Sequence, residues 1–221
     1  MRGLPARTLL PALLLLVLGI FALRDFARLG EALPWRAMDD FPDFYCAGWV
    51  LDERANPYTY EPLRTCEHRV NAGASFRGRL FAANPALAIP APQPAYDFVP
   101  YMLLARIPFE NARAVHAIAI VAAVVATAFA LAALGVPLSV AGAMLLLSTL
   151  YASLRTGQIV PFALLALVAS GLALARRRDA VAGLLAALTA IEPTLGLPVA
   201  LATLIFVPKA RWPLLAALAC L

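Results

Sequence analysis

Apolar positions along this chain gather into runs separated by short polar breaks, and these runs predict its elements. Arg2 and Arg7 precede an apolar run over residues 9–23. That is the pattern of a cytoplasmic N-terminus followed by a first span, which we place at residues 8–23. No small-x-small cleavage site precedes Arg24, so an uncleaved anchor is expected rather than a signal peptide. Residues 24–95 are different in character and read as one large extracytoplasmic loop. Further apolar segments follow at 98–107, 114–134, 138–154, 160–175, 180–191, 195–207 and from 212 onward. A straight span needs about 20 apolar residues, and several of these are shorter. Pro100, Pro137, Pro161, Pro193, Pro198 and Pro213 lie within them or at their ends. Broken helices of this kind are tolerated at membrane depth only where protein or a water-filled cavity satisfies the backbone. The reading is an all-α membrane helix bundle forming a single domain over 1–221, with further spans from 96 onward. The run from Trp212 stops abruptly, as in the N-terminal portion of a longer protein.

Composition sharpens this picture. Apolar residues make up 62% of the chain, charged residues 14%, and the mean hydropathy is +0.80. Too little polar surface exists to cover a water-facing protein, which argues against a soluble enzyme. The net charge of +5 does not imply nucleic acid, because the basic residues are scattered and no patch is interleaved with aromatics. Nine of the 13 acidic residues fall between Arg24 and Ala95, together with Trp35, Tyr45, Trp49, Tyr58 and Tyr60. Aromatics of this kind suit a membrane interface. With two cysteines they argue for an ordered loop.

Charge also orients the bundle. Arg176, Arg177 and Arg178, and the pair Lys209 and Arg211, belong on the cytoplasmic face. Gly157, Gln158, Glu192 and Pro193 then lie on the opposite face, beside the loop. Counting every segment as a span gives the wrong parity. One segment between 98 and 154 must fail to cross, and 138–154 is expected to be a re-entrant helix.

Four groups could carry chemistry. Asp39, Asp40 and Asp43 cluster just before Phe44 and Tyr45. A carboxylate there could deprotonate an acceptor hydroxyl, its pKa raised by partial burial; alternatively, the cluster is a solvated turn capping a helix that starts near Phe44. Cys46 and Cys66 in an exported loop could close a disulfide ring or remain two free thiols. Arg155 and Gln158 could hold a phosphate and a sugar hydroxyl, or mark an ordinary turn with a snorkelling arginine. Glu192 is either an intramembrane functional acid or a helix-end glutamate at the water boundary. His68 and His116 lack ligand-like spacing, and phosphate-loop, dinucleotide and zinc spacings are missing. No metal site is assigned, although a carboxylate cluster could recruit a hard cation.

The order of short motifs adds a resemblance. Asp40-Phe41-Pro42-Asp43-Phe44-Tyr45-Cys46-Ala47-Gly48 is followed by Pro57-Tyr58, then by Pro94-Ala95-Tyr96-Asp97-Phe98-Val99-Pro100. Gly157-Gln158 heads an apolar segment, and Ala182-Gly183-Leu184 follows the basic hairpin. Together these resemble the family 87 glycosyltransferases, polytopic bacterial inner-membrane enzymes of GT-C type. The resemblance implies transfer of a sugar, typically mannose, from a polyprenyl-phosphate carrier to a lipid or glycan acceptor on the outer face. It implies no cofactor, and by motif position it makes Asp40 the base, with Asp43 second. Tyr45, Arg155, Gln158 and Glu192 become candidates for holding substrate. Many members carry Lys-Pro where this chain has Glu192-Pro193, and the family is roughly twice as long. The rival reading is a non-catalytic polytopic membrane protein, such as a transporter fragment or assembly subunit.

Overall fold

A computed structural model describes residues 38–71, 76–91 and 93–220, with scattered positions between 16 and 27. The expected first span falls mostly outside the described residues. Among those described, the chain is mainly helical and holds no strand.

The polar loop folds into a small helical lobe. Helix α1 (Phe41–Asp52) is nearly all buried; α2 (Tyr60–Val70) packs across it, and α3 (Phe76–Ala83) closes the lobe. Pro42 sits in the first turn of α1, where a missing N–H costs nothing. A disulfide between Cys46 and Cys66 joins α1 to α2, with Cα atoms 5.6 Å apart. Tyr58 and Tyr60 donate hydroxyl hydrogen bonds to the carbonyls of Gln93 (2.7 Å) and Ala86 (2.6 Å), fastening the irregular return segment of the loop.

A short 3-10 turn (Ala95–Phe98) leads into α4 (Val99–Leu104), which lies against α1. Gly48 permits that contact: a Cβ there would collide with the backbone of Tyr101. Arg106 grips Asp52 through Nε and Nη2 and ties the far end of α4 to the end of α1.

The apolar segments form the rest. Helix α5 (Phe109–Ala133) has 25 residues, and Leu138–Thr156, which we call α6, has 19. Both are long and apolar enough to cross a membrane. Helices α7 (Val160–Ala175) and α8 (Asp179–Leu188, continued by a 3-10 turn to Ile191) are apolar but shorter. Helix α9 (Pro193–Phe206) meets the pair Pro208–Ala210 and α10 (Arg211–Cys220) at a bend of 117°, a third potential crossing if the two are one broken span.

Two segments bear on the expected parity. Segment 138–154, expected to turn back within the membrane, is one continuous helix that gains two residues by running on through Arg155 and Thr156. Segment 98–107 instead yields only the six residues of α4. At 1.5 Å per residue these reach about 9 Å, far short of a bilayer. Of the two segments, the one tied to the polar lobe is the shorter.

Small residues let the later helices approach closely. Ala163, Ala166 and Ala173 of α7, and Ala182, Gly183, Ala186 and Ala187 of α8, are buried, and Ser170 donates to the Ala182 carbonyl at 2.8 Å. This is the packing expected where lipid supplies no drive for large side chains to hide. Ile118, Phe129, Leu197, Leu201, Phe206 and Trp212 stand exposed on the outside.

Candidate functional site

The site forms where the start of the lobe is laid against the end of α6. The N–H groups of Asp39 and Asp40 donate to the carbonyls of Arg155 (3.2 Å) and Thr156 (2.7 Å). These are carbonyls that a helix C-terminus leaves without intrahelical partners. Gly157 then leaves the helix with φ +77°, and a Cβ there would lie 2.8 Å from that of Phe41. The backbone conformation and the close approach both require glycine. His116, from α5, braces the turn: its Nε2 donates to the Gly157 carbonyl at 2.9 Å and its ring stacks on Phe41 at 4.9 Å.

This turn sends Gln158 back toward the lobe, where its Nε2 donates to Asp40 Oδ2 at 3.3 Å. Asp40 occupies the N-cap position of α1, yet its carboxyl makes no capping hydrogen bond. Its side chain serves the cavity instead. That cavity, about 490 Å³, is lined by Asp40, Asp43, Phe44, Gln93, Gln158, Ile159, Glu192 and Thr194, among others. Carboxylates and amides beside an aromatic face are the donor and acceptor set that suits a polyhydroxyl ligand. Among the described residues, no lysine, arginine or histidine lines it.

Glu192 stands at the N-cap of α9 in a half-buried break between helices. Its backbone carbonyl accepts from Gly196 N–H (2.8 Å), and its Oε1 accepts from Thr194 Oγ1 (2.7 Å). It therefore faces the cavity at a helix boundary and is not immersed within a helix.

Asp43 is buried and held by Arg77 in a two-pronged ion pair, with Nη1 3.1 Å from Oδ2 and Nη2 against Oδ1. Arg77 also donates to the Asp39 carbonyl. Burial pushes the Asp43 carboxyl up to about 6, against the pull of Arg77. Beside it, Glu67 is fully buried; its Oε2 accepts from Ile89 N–H at 2.8 Å and its Oε1 is enclosed without a partner. Burial first, then the nearby Asp43 charge, pushes Glu67 up to about 8, so it carries its proton at neutral pH. Asp43 thus reaches the cavity as part of a buried Arg77–Asp43–Glu67 cluster, while Asp40 is the less encumbered acid.

Two candidate residues are not brought to the cavity. Tyr45 is buried on the opposite side of α1, its hydroxyl donating to the Ile107 carbonyl at 3.0 Å. Arg155 is exposed and contributes its backbone carbonyl rather than its guanidinium, because the last turn of α6 directs that side chain away from the cavity lining. Four residues carry no role in the site from sequence alone: Arg77, Glu67, Asp97, and His116, which the sequence raises only as a metal ligand. Asp97 sits within the Pro94–Pro100 motif, which was the available signal; the other three carry none. Among the described residues, no group of three or more His, Cys, Asp or Glu side chains is disposed to hold a metal ion.

No protein-family model, no characterised protein and no solved structure matches this chain.

Proposed function

We propose that the protein is a polytopic membrane glycosyltransferase of GT-C type, similar to family 87. It would move a hexose, with mannose the first candidate, from a polyprenyl-phosphate carrier to a lipid or glycan acceptor on the extracytoplasmic face of the bacterial inner membrane. One observation carries this reading: Asp40, Gln158 and Glu192, from three distant parts of the sequence, line a single cavity.

Charge supports the sidedness. With 98–107 not crossing, α5 runs inward, α6 outward, α7 inward and α8 outward. Arg176, Arg177 and Arg178 then fall inside, with Asp40, Gln158 and Glu192 outside. In the reaction, the Asp40 carboxylate takes the proton of the acceptor hydroxyl as its oxygen bonds to the anomeric carbon. The bond from that carbon to the phosphate oxygen breaks on the opposite face, and polyprenyl phosphate leaves with the electron pair. Gln158 holds Asp40 toward the cavity, and Glu192 and Thr194 can bind sugar hydroxyls.

The cavity's lack of a basic side chain favours a second reading, a non-catalytic membrane protein that binds carbohydrate through the same walls. The two separate by assay. Membranes carrying the protein are supplied with polyprenyl-phosphate-[14C]mannose, and label in lipid and glycan acceptors is followed for wild type and Asp40→Asn. Transfer that Asp40→Asn abolishes at equal expression supports the enzyme. Failure of wild type with every polyprenyl-linked sugar tried, alongside retained sugar binding, moves the second reading ahead.

A further inference from the structure

A second chamber of about 430 Å³ adjoins the acidic cavity, and Ile159 is common to both walls. It lies between α4, α5 and α7, lined by Pro100, Leu103, Val115, Ala119 and Phe162. Leu103 and Val115 are exposed at its edge.

Asp97 stands in its wall. The residue is 5% exposed, and neither carboxyl oxygen has a hydrogen-bond partner. Leaving a buried carboxyl unpaired costs free energy, and folded proteins pair nearly all such groups. Three neighbouring donors are committed elsewhere: the Tyr96 hydroxyl to the Ala190 carbonyl (3.1 Å), that of Tyr58 to Gln93, and His116 Nε2 to Gly157; the Tyr101 hydroxyl shares the wall and feels the Asp97 charge but makes no hydrogen bond to it. The charged group facing Asp97 is Glu192, which has the same sign and disfavours a phosphate. A hydroxyl satisfies a carboxyl in either protonation state, and the remaining wall suits hydrocarbon.

We propose that this chamber binds the hydrocarbon end of an uncharged, hydroxyl-bearing lipid, with Asp97 accepting the hydrogen bond of its hydroxyl. The lipid enters sideways between Leu103 and Val115, and its polar end reaches the acidic cavity past Ile159. Its identity as the sugar acceptor rests on the transferase reading; its binding does not.

The test is photolabelling of the intact protein in lipid nanodiscs by an alkyl glucoside with a diazirine in its chain, mapped by peptide mass spectrometry. Adducts are expected at Leu103, Val115 or Phe162, displaced by unlabelled alkyl glucoside and not by an alkyl phosphate of equal length. Ala119→Trp fills the chamber and lowers labelling about tenfold, as does Asp97→Leu, which removes the hydrogen-bond acceptor. Should Ala119→Trp fail to fold, Val115→Trp at the mouth serves the same purpose. Labelling spread evenly over Ile118, Phe129 and Leu197, equal displacement by alkyl phosphate or by an alkyl trimethylammonium, or indifference to the folded variants overturns the proposal. Specific labelling without sugar transfer leaves this site standing while the transferase reading falls; transfer without specific labelling does the reverse.

Discussion

Gln158 reaches across 118 residues of sequence to donate its side-chain amide to Asp40. The contact fixes which acid of the cluster is presented to the cavity. Asp39 is exposed and engaged through its backbone, and Asp43 is locked to Arg77. Asp40→Asn keeps size and hydrogen-bonding capacity but removes the base. Transfer should fall by about 10²–10⁴, the usual contribution of general base catalysis. Thermal stability should stay within about 0.5 kcal/mol of wild type, because Asp40 is half-buried and forms no cap. A comparable loss of stability and activity would assign Asp40 a structural role.

Asp43 should behave in the opposite way. Arg77→Leu leaves a buried carboxylate without its counter-charge, at a cost of about 3–5 kcal/mol where the pair is sequestered. Asp43→Asn combined with Arg77→Leu should recover much of that loss, since neither charge is then stranded. Thermal unfolding of the two single variants and the double variant measures this. Equal destabilisation by Arg77→Leu and by the double variant would mean that Arg77 acts through the Asp39 carbonyl and not through Asp43.

The apolar runs were legible because span-like helices announce themselves by length and composition, and α5, α7, α8 and α9 fall near the expected segments. The extension of α6 past its expected end has a physical cause. Hydropathy ends the segment at Leu154, whereas the helix continues through polar Arg155 and Thr156, whose carbonyls are then capped by Asp39 and Asp40. Partners so remote in sequence leave no local signal. For the same reason Arg77 and Glu67 were invisible: each is an ordinary charged residue until folding places it beside Asp43. Gly48 and Gly157 were visible within their motifs, but what each is needed for became clear only from the backbones that approach them.

The Cys46–Cys66 bridge encloses a 20-residue separation and clamps α1, which carries Asp43, to α2, which carries Glu67. Replacing both cysteines by serine should destabilise the lobe by about 3 kcal/mol in the chain-entropy account. The apolar helices should be little affected, as their packing does not involve the bridge. Limited proteolysis in membranes checks this: cleavage between residues 53 and 91 should quicken, with α5 to α8 still protected. Protection equal to wild type would show that helix packing alone holds the lobe.

Proton uptake should stabilise the lobe. Asp43, Asp97 and Glu67 are pushed up to about 6, 7 and 8 from ordinary values of 3.8, 3.8 and 4.5, burial being the main cause in each. The folded state therefore holds protons that the unfolded chain has released. This contribution is complete below about pH 4 and declines as pH rises through 6, 7 and 8. Hydrogen exchange of the α1 and α2 amides should be slower at pH 5 than at pH 8 after correction for intrinsic rates. In Glu67→Gln the difference should shrink, because the amide oxygen keeps the Ile89 bond and no longer titrates. Protection that rises from pH 5 to pH 8 would contradict the sign.

The path of α6 decides the topology, and it can be tested at its two ends. If the 19-residue helix crosses, Val136 and Gln158 lie on opposite faces; if it turns back, they share one. Single cysteines at Val136, Gln158 and Arg177, in a Cys220→Ser background with the Cys46–Cys66 bridge intact, are treated in whole cells with a membrane-impermeant maleimide. Gln158→Cys should react from outside, while Val136→Cys and Arg177→Cys should react only after permeabilisation. The Arg177 position fixes which side is cytoplasmic, since the positive hairpin it belongs to resists export. Labelling of Val136→Cys from outside would restore a re-entrant α6, and α4 would then have to account for parity. Because α4 is six residues long and anchored by Arg106 to Asp52 of the lobe, that outcome would require the lobe itself to lie within the membrane. The buried ion pair and the enclosed Glu67 could be accommodated there, but the exposed Asp39, Glu53 and Glu61 would each carry a charge into hydrocarbon, a cost that weighs against that outcome.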